Sequence, residues 1–394
     1  MMILKRELKL IIVLSVIFVG LCSLHYFTRR PYWLDESFVI KNLFKPGYLR
    51  YFGVLDPLQS FPRLHLILIK FISAPYGFDY MATRLLSYVF MLSAYFVWGR
   101  LYWKNSVNRW LAVLSLLAIT ALFKFSYYAS ELKPYSMDML AVALYTLYLQ
   151  RQKRFDSPQI RAQLKDYVIV ATLPLLTFFS YASLFVLWTV SYNFILLLKR
   201  NKNVRSLLIL NSIVSIVSFI IFYFIDLRYS ITDAGKNYWS SYFLCSDSFL
   251  CFMDTFGEGV KRLVVFWVGE SDTMKVVASG LIPIFIFSLF GYGPKQWWRD
   301  RFRLFHIDTL SFVLFLELFV LGILNLYPFT GERLTLFYAP FVFHMVSKGI
   351  DALKKFAWCY WPLLYYYVIY YLICMIRTFS SHFQVYRHFH GSVF

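Results

Sequence analysis

The chain has 394 residues, of which 59% are hydrophobic and 15% are charged. Soluble domains are about 45–50% apolar and about 25% charged, so this composition excludes an ordinary soluble domain. The formal net charge of +19 would suit a nucleic-acid partner. In so apolar a chain, however, basic residues are expected in loops that meet anionic lipid headgroups. We therefore predict a protein of the lipid bilayer without a nucleic-acid partner.

Apolar runs of about 20 residues recur along the chain and match the thickness of the hydrocarbon core. The first run lacks a small-residue cleavage pattern at its end, so it is interpreted as a retained helix. Segment 58–74 is apolar but short and carries Arg63 and Lys70, so we expect a shallow or in-plane helix there. The predicted spanning helices are 8–28, 81–100, 110–127, 134–150, 166–180, 182–198, 206–226, 276–292, 304–326, 335–348 and 356–376.

The distribution of lysine and arginine predicts the orientation, because cytoplasmic loops are enriched in both. With the N-terminus inside, the inner segments hold 22 of the 40 basic residues in about 60 positions, and the outer ones hold 17 in about 140. Eleven crossings then place the C-terminus outside. The expected fold class is all-α, one polytopic helical bundle over 1–394 without a separate soluble domain. Its two large outer loops would be 29–80 and 227–275.

The five cysteines divide into two groups. Cys22, Cys359 and Cys374 lie in apolar runs, where we expect inert thiols. Cys245 and Cys251 share one loop that the topology places outside. They form either a disulfide, which an oxidising compartment allows, or two unpaired thiols.

Four polar stretches fall at helix ends on the predicted outer face. Polar groups at this depth are costly unless they pair or line a watery cavity, so a shared side suggests one cleft. The stretches are "WLDESF" (33–38), "LDPLQSFPR" (55–63), "SELKPYS" (130–136) and "YPFTGER" (327–333).

These stretches bring two kinds of charge to the predicted cleft. Asp35 and Glu36 supply carboxylates, one of which could accept a proton from a hydroxyl. Arg84, Lys133 and Arg333 supply cations suited to a phosphate group. A base beside a phosphate site is what a transferase needs when its donor is a lipid-linked phosphosugar.

Each stretch could also have a purely structural role. The acidic pair could be a solvated helix cap, and "ELKPY" a simple helix start with Pro134 in its first turn. Arg333 could extend to the headgroups, and Arg84 could do the same or pair with a loop carboxylate. Glu317, in the middle of a predicted span, could be a buried neutral carboxyl.

The quoted stretches resemble GT-C polytopic glycosyltransferases, in particular the bacterial branch similar to protein O-mannosyltransferases and lipid A aminoarabinose transferases. The resemblance rests on the order and spacing of "WLDESFVIKN", "LDPLQSFPRLHLILIK", "DYMATRLLSYVF", "SELKPYSMDMLAVAL" and "YPFTGERLTLFYAP". It covers 1–150 and then only 327–340. It implies a GT-C-like bundle whose long first outer loop is catalytic and carries in-plane helices.

The resemblance also implies roles for individual residues. Asp35 matches the catalytic acid and Glu36 its neighbour. Lys133, Arg333 and Arg84 would bind the donor phosphate, where relatives often have arginine in place of Lys133. The residues that would position substrate are Tyr135, Gln59, Arg63 and Glu131.

The function expected from this resemblance is an inverting transfer of sugar from a polyprenyl-phosphate carrier to an acceptor hydroxyl. The acceptor would be a glycolipid, a glycan or a protein at the outer face of the bacterial cytoplasmic membrane. No cofactor is expected, and without a DxD-like motif we expect catalysis without a metal. The alternatives are a glycan ligase or polymerase that uses a diphosphate-linked oligosaccharide, a lipid-sugar transporter, or a structural membrane scaffold.

Overall fold

A computed structural model of the chain describes residues 2–55, 60–106, 108–230, 237–268, 279–330 and 332–390. Regular structure within these ranges is helical and contains no β-strand, which confirms the predicted all-α class for them. The main helices are α1 Met2–Phe27, α2 Leu34–Leu43, α3 Arg63–Ser73, α4 Tyr80–Asn105, α5 Arg109–Ala121, α6 Phe123–Tyr128, α7 Tyr135–Gln152, α8 Leu164–Thr172, α9 Ser183–Leu187, α10 Thr189–Leu198, α11 Arg205–Phe222, α12 Phe249–Val268, α13 Leu281–Arg299, α14 Ile307–Ile323, α15 Ala339–Ala352 and α16 Ala357–His390.

In the part of the chain that the structure describes, four helical stretches are long and apolar enough to cross a membrane. They are Arg6–Phe27, Tyr80–Asn105, Lys202–Ser230 and Ala357–Ser381. Their outward faces carry large apolar side chains, among them Ile216 on α11 and Ile376 on α16. A multi-pass membrane protein follows from this composition. The eleven crossings and their orientation remain predictions.

Several predicted spans are interrupted helices. Predicted span 110–127 divides into α5 and α6 at Leu122, which has an extended backbone. Predicted span 166–180 consists of α8 and a 3₁₀ turn, Leu173–Phe178, that contains Pro174. Proline has no N–H to continue an α-helical ladder, which explains the change of helix type there.

The predicted outer loop 227–275 contains a helix that the sequence pattern does not predict. This helix, α12, packs Phe252 and Phe256 against Phe319 of α14. Phe249 and Leu250, at its beginning, are exposed. An amphipathic segment of this kind interrupts apolar runs with charges, so a search for long apolar stretches passes over it. The in-plane segment predicted at 58–74 contains α3.

Aromatic side chains bind the helices into one core. On α4, Trp98 packs edge-on against Phe341 of α15 with ring centroids 4.9 Å apart. Tyr102 donates a hydrogen bond to the Pro340 carbonyl at 2.8 Å. The tyrosine hydroxyl is thereby satisfied within the core, as a buried polar group requires.

The loops of highest basic density contact one another at one end of the molecule. Arg200 and Arg303 both pair with Asp156, at 2.9 and 2.7 Å. The Leu304 amide donates to the Asn193 side chain at 2.8 Å. Three loops that the charge pattern assigns to the cytoplasm therefore meet at one end.

Loops predicted to lie outside also meet one another. The Leu244 amide donates to the Gly322 carbonyl at 3.2 Å, and the Phe329 amide donates to the Tyr242 carbonyl at 3.1 Å. Cys245 and Cys251 form a disulfide in this region, which decides between the two alternatives left open by the sequence. The segment that follows Phe329 leads into the candidate site.

Candidate active site

The acidic pair of "WLDESF" lies in the first turn of α2. Pro31 precedes the helix, and the Trp33 amide donates to Glu36 Oε2 at 3.3 Å, which caps its N-terminus. Carboxylates are favoured in this turn by the helix dipole. Successive residues point about 100° apart on an α-helix, so Asp35 and Glu36 face different surroundings. Glu36 is fully buried, whereas Asp35 is 22% exposed.

Glu36 is the centre of a buried ion cluster. Its carboxylate accepts hydrogen bonds from Arg30 Nη1 at 2.9 Å and from Arg84 Nη2 at 2.8 Å. The Leu132 amide donates to its other oxygen at 2.7 Å. Both arginines are less than 5% exposed. A carboxylate held from three directions in this way is suited to fixing the fold rather than to moving a proton.

The two arginines extend this cluster to neighbouring segments. Arg30 Nη2 donates to the Ser130 carbonyl at 3.2 Å, and Arg84 Nη1 donates to the Arg30 carbonyl at 2.7 Å. The Arg30 guanidinium stacks 4.5 Å from the ring centre of Tyr127. The cluster thus ties α4 and the chain after α1 to the connection between α6 and α7, which carries "SELKP".

Asp35 pairs instead with Arg333. Arg333 Nη2 lies 2.5 Å from Asp35 Oδ2, and the guanidinium carbon lies 5.1 Å from the ring centre of Trp33. Arg333 is 18% exposed, so the pair remains accessible from one side. Two residues almost 300 positions apart in sequence therefore meet, as the shared sidedness of their motifs predicts.

Glu131 and Lys133 lie on the α6–α7 connection beside this pair. Glu131 is fully buried, and neither of its carboxylate oxygens has a hydrogen-bond partner among the described residues. Burial, and then the charge of Glu36, raise the pKa of Glu131 to about 7. Burial lowers the pKa of Lys133, while the nearby charges of Asp35 and Glu131 oppose that change. The charge state of Glu131 therefore changes near neutral pH.

Tyr135 begins α7 directly after Pro134. Its ring packs edge-on against Tyr128 at 5.4 Å, and its side chain is 6% exposed. The 3₁₀ turn Glu332–Tyr338, which contains Arg333, packs against α7. This packing brings the late basic residue to the start of α7.

Two predicted positioning residues are not part of this arrangement. Gln59 lies outside the described residues. Arg63 is 1% exposed, its amide donates to Asp226 Oδ2 at 3.1 Å, and its Nη1 donates to the Phe61 carbonyl at 3.2 Å. Asp226 also accepts from the Tyr181 hydroxyl at 2.8 Å. These contacts place Arg63 in a separate buried cluster.

Sequence reasoning missed two contributors to the site. Arg30 completes the cluster around Glu36, and Trp33 supports the Arg333 guanidinium. Trp33 is the first residue of the stretch "WLDESF", and Arg30 lies three positions before it. An arginine this close to an acidic pair is a sequence signal that could have identified Arg30. Glu317, in α14, forms no ion pair with any described residue. Within the same ranges, no group of three or more His, Cys, Asp or Glu residues could hold a metal ion.

Comparisons with known proteins add one structural similarity. No family model matches the sequence, and no curated protein matches it. The solved structure of ArnT from Cupriavidus metallidurans in the apo state superposes with a TM-score of 0.48 at 12% identity. The match covers 87% of this chain and 60% of that one, so this chain spans less than two thirds of its length. A TM-score below 0.5 at this identity does not establish a common fold or activity.

Proposed function

We propose that this protein is an inverting membrane glycosyltransferase of the GT-C type. It transfers a sugar from a polyprenyl-phosphate carrier to an acceptor hydroxyl at the outer face of the bacterial cytoplasmic membrane. The observation that carries the proposal is the accessible Asp35–Arg333 pair, with Lys133 beside it. A carboxylate and two cations that converge from three distant segments match the requirements of a phosphosugar transfer.

The proposed reaction assigns each group one task. Asp35 takes the proton of the acceptor hydroxyl while that oxygen attacks the anomeric carbon opposite the phosphate. The bond from the anomeric carbon to the phosphate oxygen breaks, and its electron pair leaves with the polyprenyl phosphate. Arg333 has five N–H donors, so it can contact Asp35 and still bind a phosphate oxygen. Lys133 adds a second positive charge to that phosphate.

Glu36 and Arg84 take structural roles in this proposal. Each is buried and bonded to the other, and the Glu36 contact with the Leu132 amide fixes the segment that carries Lys133. They would act as positioning residues. Glu131 and Tyr135 would line the donor side, and the transfer would proceed without a metal ion.

The disulfide supports the proposed side of the membrane. Disulfides persist in oxidising compartments such as the bacterial periplasm. Cys245 lies next to Leu244, which contacts Gly322 of α14, and the segment after α14 leads to Arg333. An outer location for the disulfide loop thus favours an outer location for the site.

The test begins with mass spectrometry of glycolipids and glycoproteins from wild-type and deletion strains. The missing mass identifies the sugar, and the molecule that lacks it identifies the acceptor. Loss of a single sugar fits the proposal, whereas loss of an oligosaccharide block favours a ligase or polymerase. No missing glycan, together with altered lipid-sugar uptake in proteoliposomes, favours a transporter.

Purified protein in lipid nanodiscs is then assayed for transfer from a polyprenyl-phosphate donor that carries the identified sugar with a label. We expect Asp35→Asn to abolish transfer, with a fall of at least about a hundredfold for loss of a general base. Asp254→Asn is the matched control, since Asp254 is an exposed acid on α12. Wild-type turnover by Asp35→Asn would remove Asp35 from the mechanism.

A further inference from the structure

A large cavity opens between α4, α7 and α8, at the end of the molecule where the basic loops meet. Its volume is about 770 Å³. It lies near the end of α7 opposite to Tyr135. Its lining residues on this helix, Leu144 to Arg151, are about 14 to 24 Å from Tyr135 along the helix axis. The candidate active site therefore does not extend into it. The cavity is lined at its rim by Arg100, Lys104, Arg151, Arg154 and Lys165.

The five cations of this rim are not balanced by acids. Arg151 and Arg154 share one carboxylate, Asp166, which is fully buried beside them. Arg100, Lys104 and Lys165 are exposed and have no ion pair with any acid in the described ranges. The rim thus has the charge expected of a site for a polyanion.

Two buried polar side chains also line the cavity without partners. The Tyr148 hydroxyl is buried, with 3% of the side chain exposed, and finds no hydrogen-bond partner among the described residues. The same holds for both polar atoms of the Gln150 side chain, which is 7% exposed. Native proteins rarely leave such groups unsatisfied, so a ligand with hydrogen-bonding oxygens would account for them.

The deeper walls of the cavity are apolar. Leu144 and Leu147 come before Arg151 on α7, and Ile169 of α8 and Leu173 of the turn that follows come after Lys165, so these apolar lining residues lie farther from the basic helix ends. A cationic rim at helix ends above apolar walls has the polarity of a lipid molecule, with the headgroup at the boundary and the chains below. A small soluble anion would gain nothing from these walls.

We propose that this cavity binds the headgroup of a membrane lipid that carries two phosphate groups. The five cations exceed what a single phosphodiester requires, and the volume accommodates a large headgroup. Tyr148 and Gln150 donate hydrogen bonds to phosphate oxygens, while the acyl chains run along Leu147 and Ile169. The proposal is independent of the glycosyl transfer proposed above.

Binding is measured by titrating diphosphatidylglycerol into the detergent-solubilised full chain, with native mass spectrometry as readout. The double variant Arg100→Gln/Lys104→Gln is expected to bind it about 30-fold more weakly, the effect of two basic residues near anionic lipid. The matched control is Lys202→Gln/Arg205→Gln, which removes the same charges at exposed positions outside the cavity. The control should stay within about twofold of wild type.

Three further measurements test the hydrogen bond from Tyr148, the number of phosphate groups and the need for a lipid. Tyr148→Phe keeps the packing and removes one hydroxyl, so about tenfold weaker binding is expected from loss of a hydrogen bond to a charged group. Phosphatidylglycerol, with one phosphate, should bind more weakly than diphosphatidylglycerol. Equal losses in both double variants would overturn the proposal. Binding of inorganic pyrophosphate as tight as that of the lipid would overturn the assignment to a lipid.

Discussion

Replacing the carboxylate by an amide should lower protein stability at Glu36 but transfer activity at Asp35. Glu36→Gln removes the carboxylate that bonds both Arg30 and Arg84, and all three side chains are less than 5% exposed. Removing one partner from a buried ion pair costs about 3–5 kcal/mol, because the remaining charge stays buried without compensation. We therefore expect Glu36→Gln to lower the free energy of unfolding by about that amount.

Asp35→Asn is the matched control, since it makes the same chemical change one residue earlier. The Asp35–Arg333 pair is partly exposed on both sides. Pairs with access to solvent contribute about 0–1 kcal/mol, so this variant should keep nearly wild-type stability while losing transfer activity. The two substitutions thus separate the structural role proposed for Glu36 from the catalytic role proposed for Asp35.

The assay is equilibrium unfolding in mixed micelles. Tryptophan fluorescence monitors the folded fraction as the concentration of denaturing detergent is raised. A third variant, Glu36→Met/Arg30→Met/Arg84→Met, removes all the charges together and should be more stable than Glu36→Gln, since apolar replacement of a buried cluster is often neutral. A Glu36→Gln protein within about 1 kcal/mol of wild type would refute the assignment of Glu36 to the structural cluster.

Three other predictions concern the site and the disulfide. Because the pKa of Glu131 is raised to about 7, its stabilising contribution should be complete below pH 4.5 and be lost as the pH rises to 7. The free energy of unfolding should therefore fall with pH in wild type, and Glu131→Gln should remove this pH dependence between about pH 4 and 8. An unchanged pH dependence in the variant would contradict the prediction. Arg333→Lys keeps the charge but loses the planar fork, so kcat/KM should fall about 10- to 100-fold, with Lys261→Arg as an exposed control on α12. Cys245→Ser should lower the free energy of unfolding by about 2 kcal/mol, because the unfolded chain regains loop-closure entropy. If the loop faces the periplasm, a membrane-impermeant maleimide should label Cys251 of wild-type cells only after reduction.

Sequence patterns determined the class of this protein well. Apolar runs of bilayer length predicted a helical membrane protein, because backbone groups in lipid must be satisfied within helices. The density of lysine and arginine assigned several loops to the same side of the membrane, and the structure brings these loops into contact. Arg200 and Arg303, from two of them, pair with Asp156 of a third. Helix α12 escaped prediction because charged residues interrupt its apolar run.

Only the tertiary structure distinguished the members of the candidate site. Asp35 and Glu36 are chemically equivalent in the sequence, and helix geometry alone says that they diverge without saying which one is buried. Burial of Glu36 depends on Arg84, 48 positions away, and on the Leu132 amide, 96 positions away. Arg63 likewise contacts Asp226, a residue that no motif connected with it. Side-chain chemistry is local in sequence, but the partners that decide whether an acid is structural or available for catalysis are set by packing.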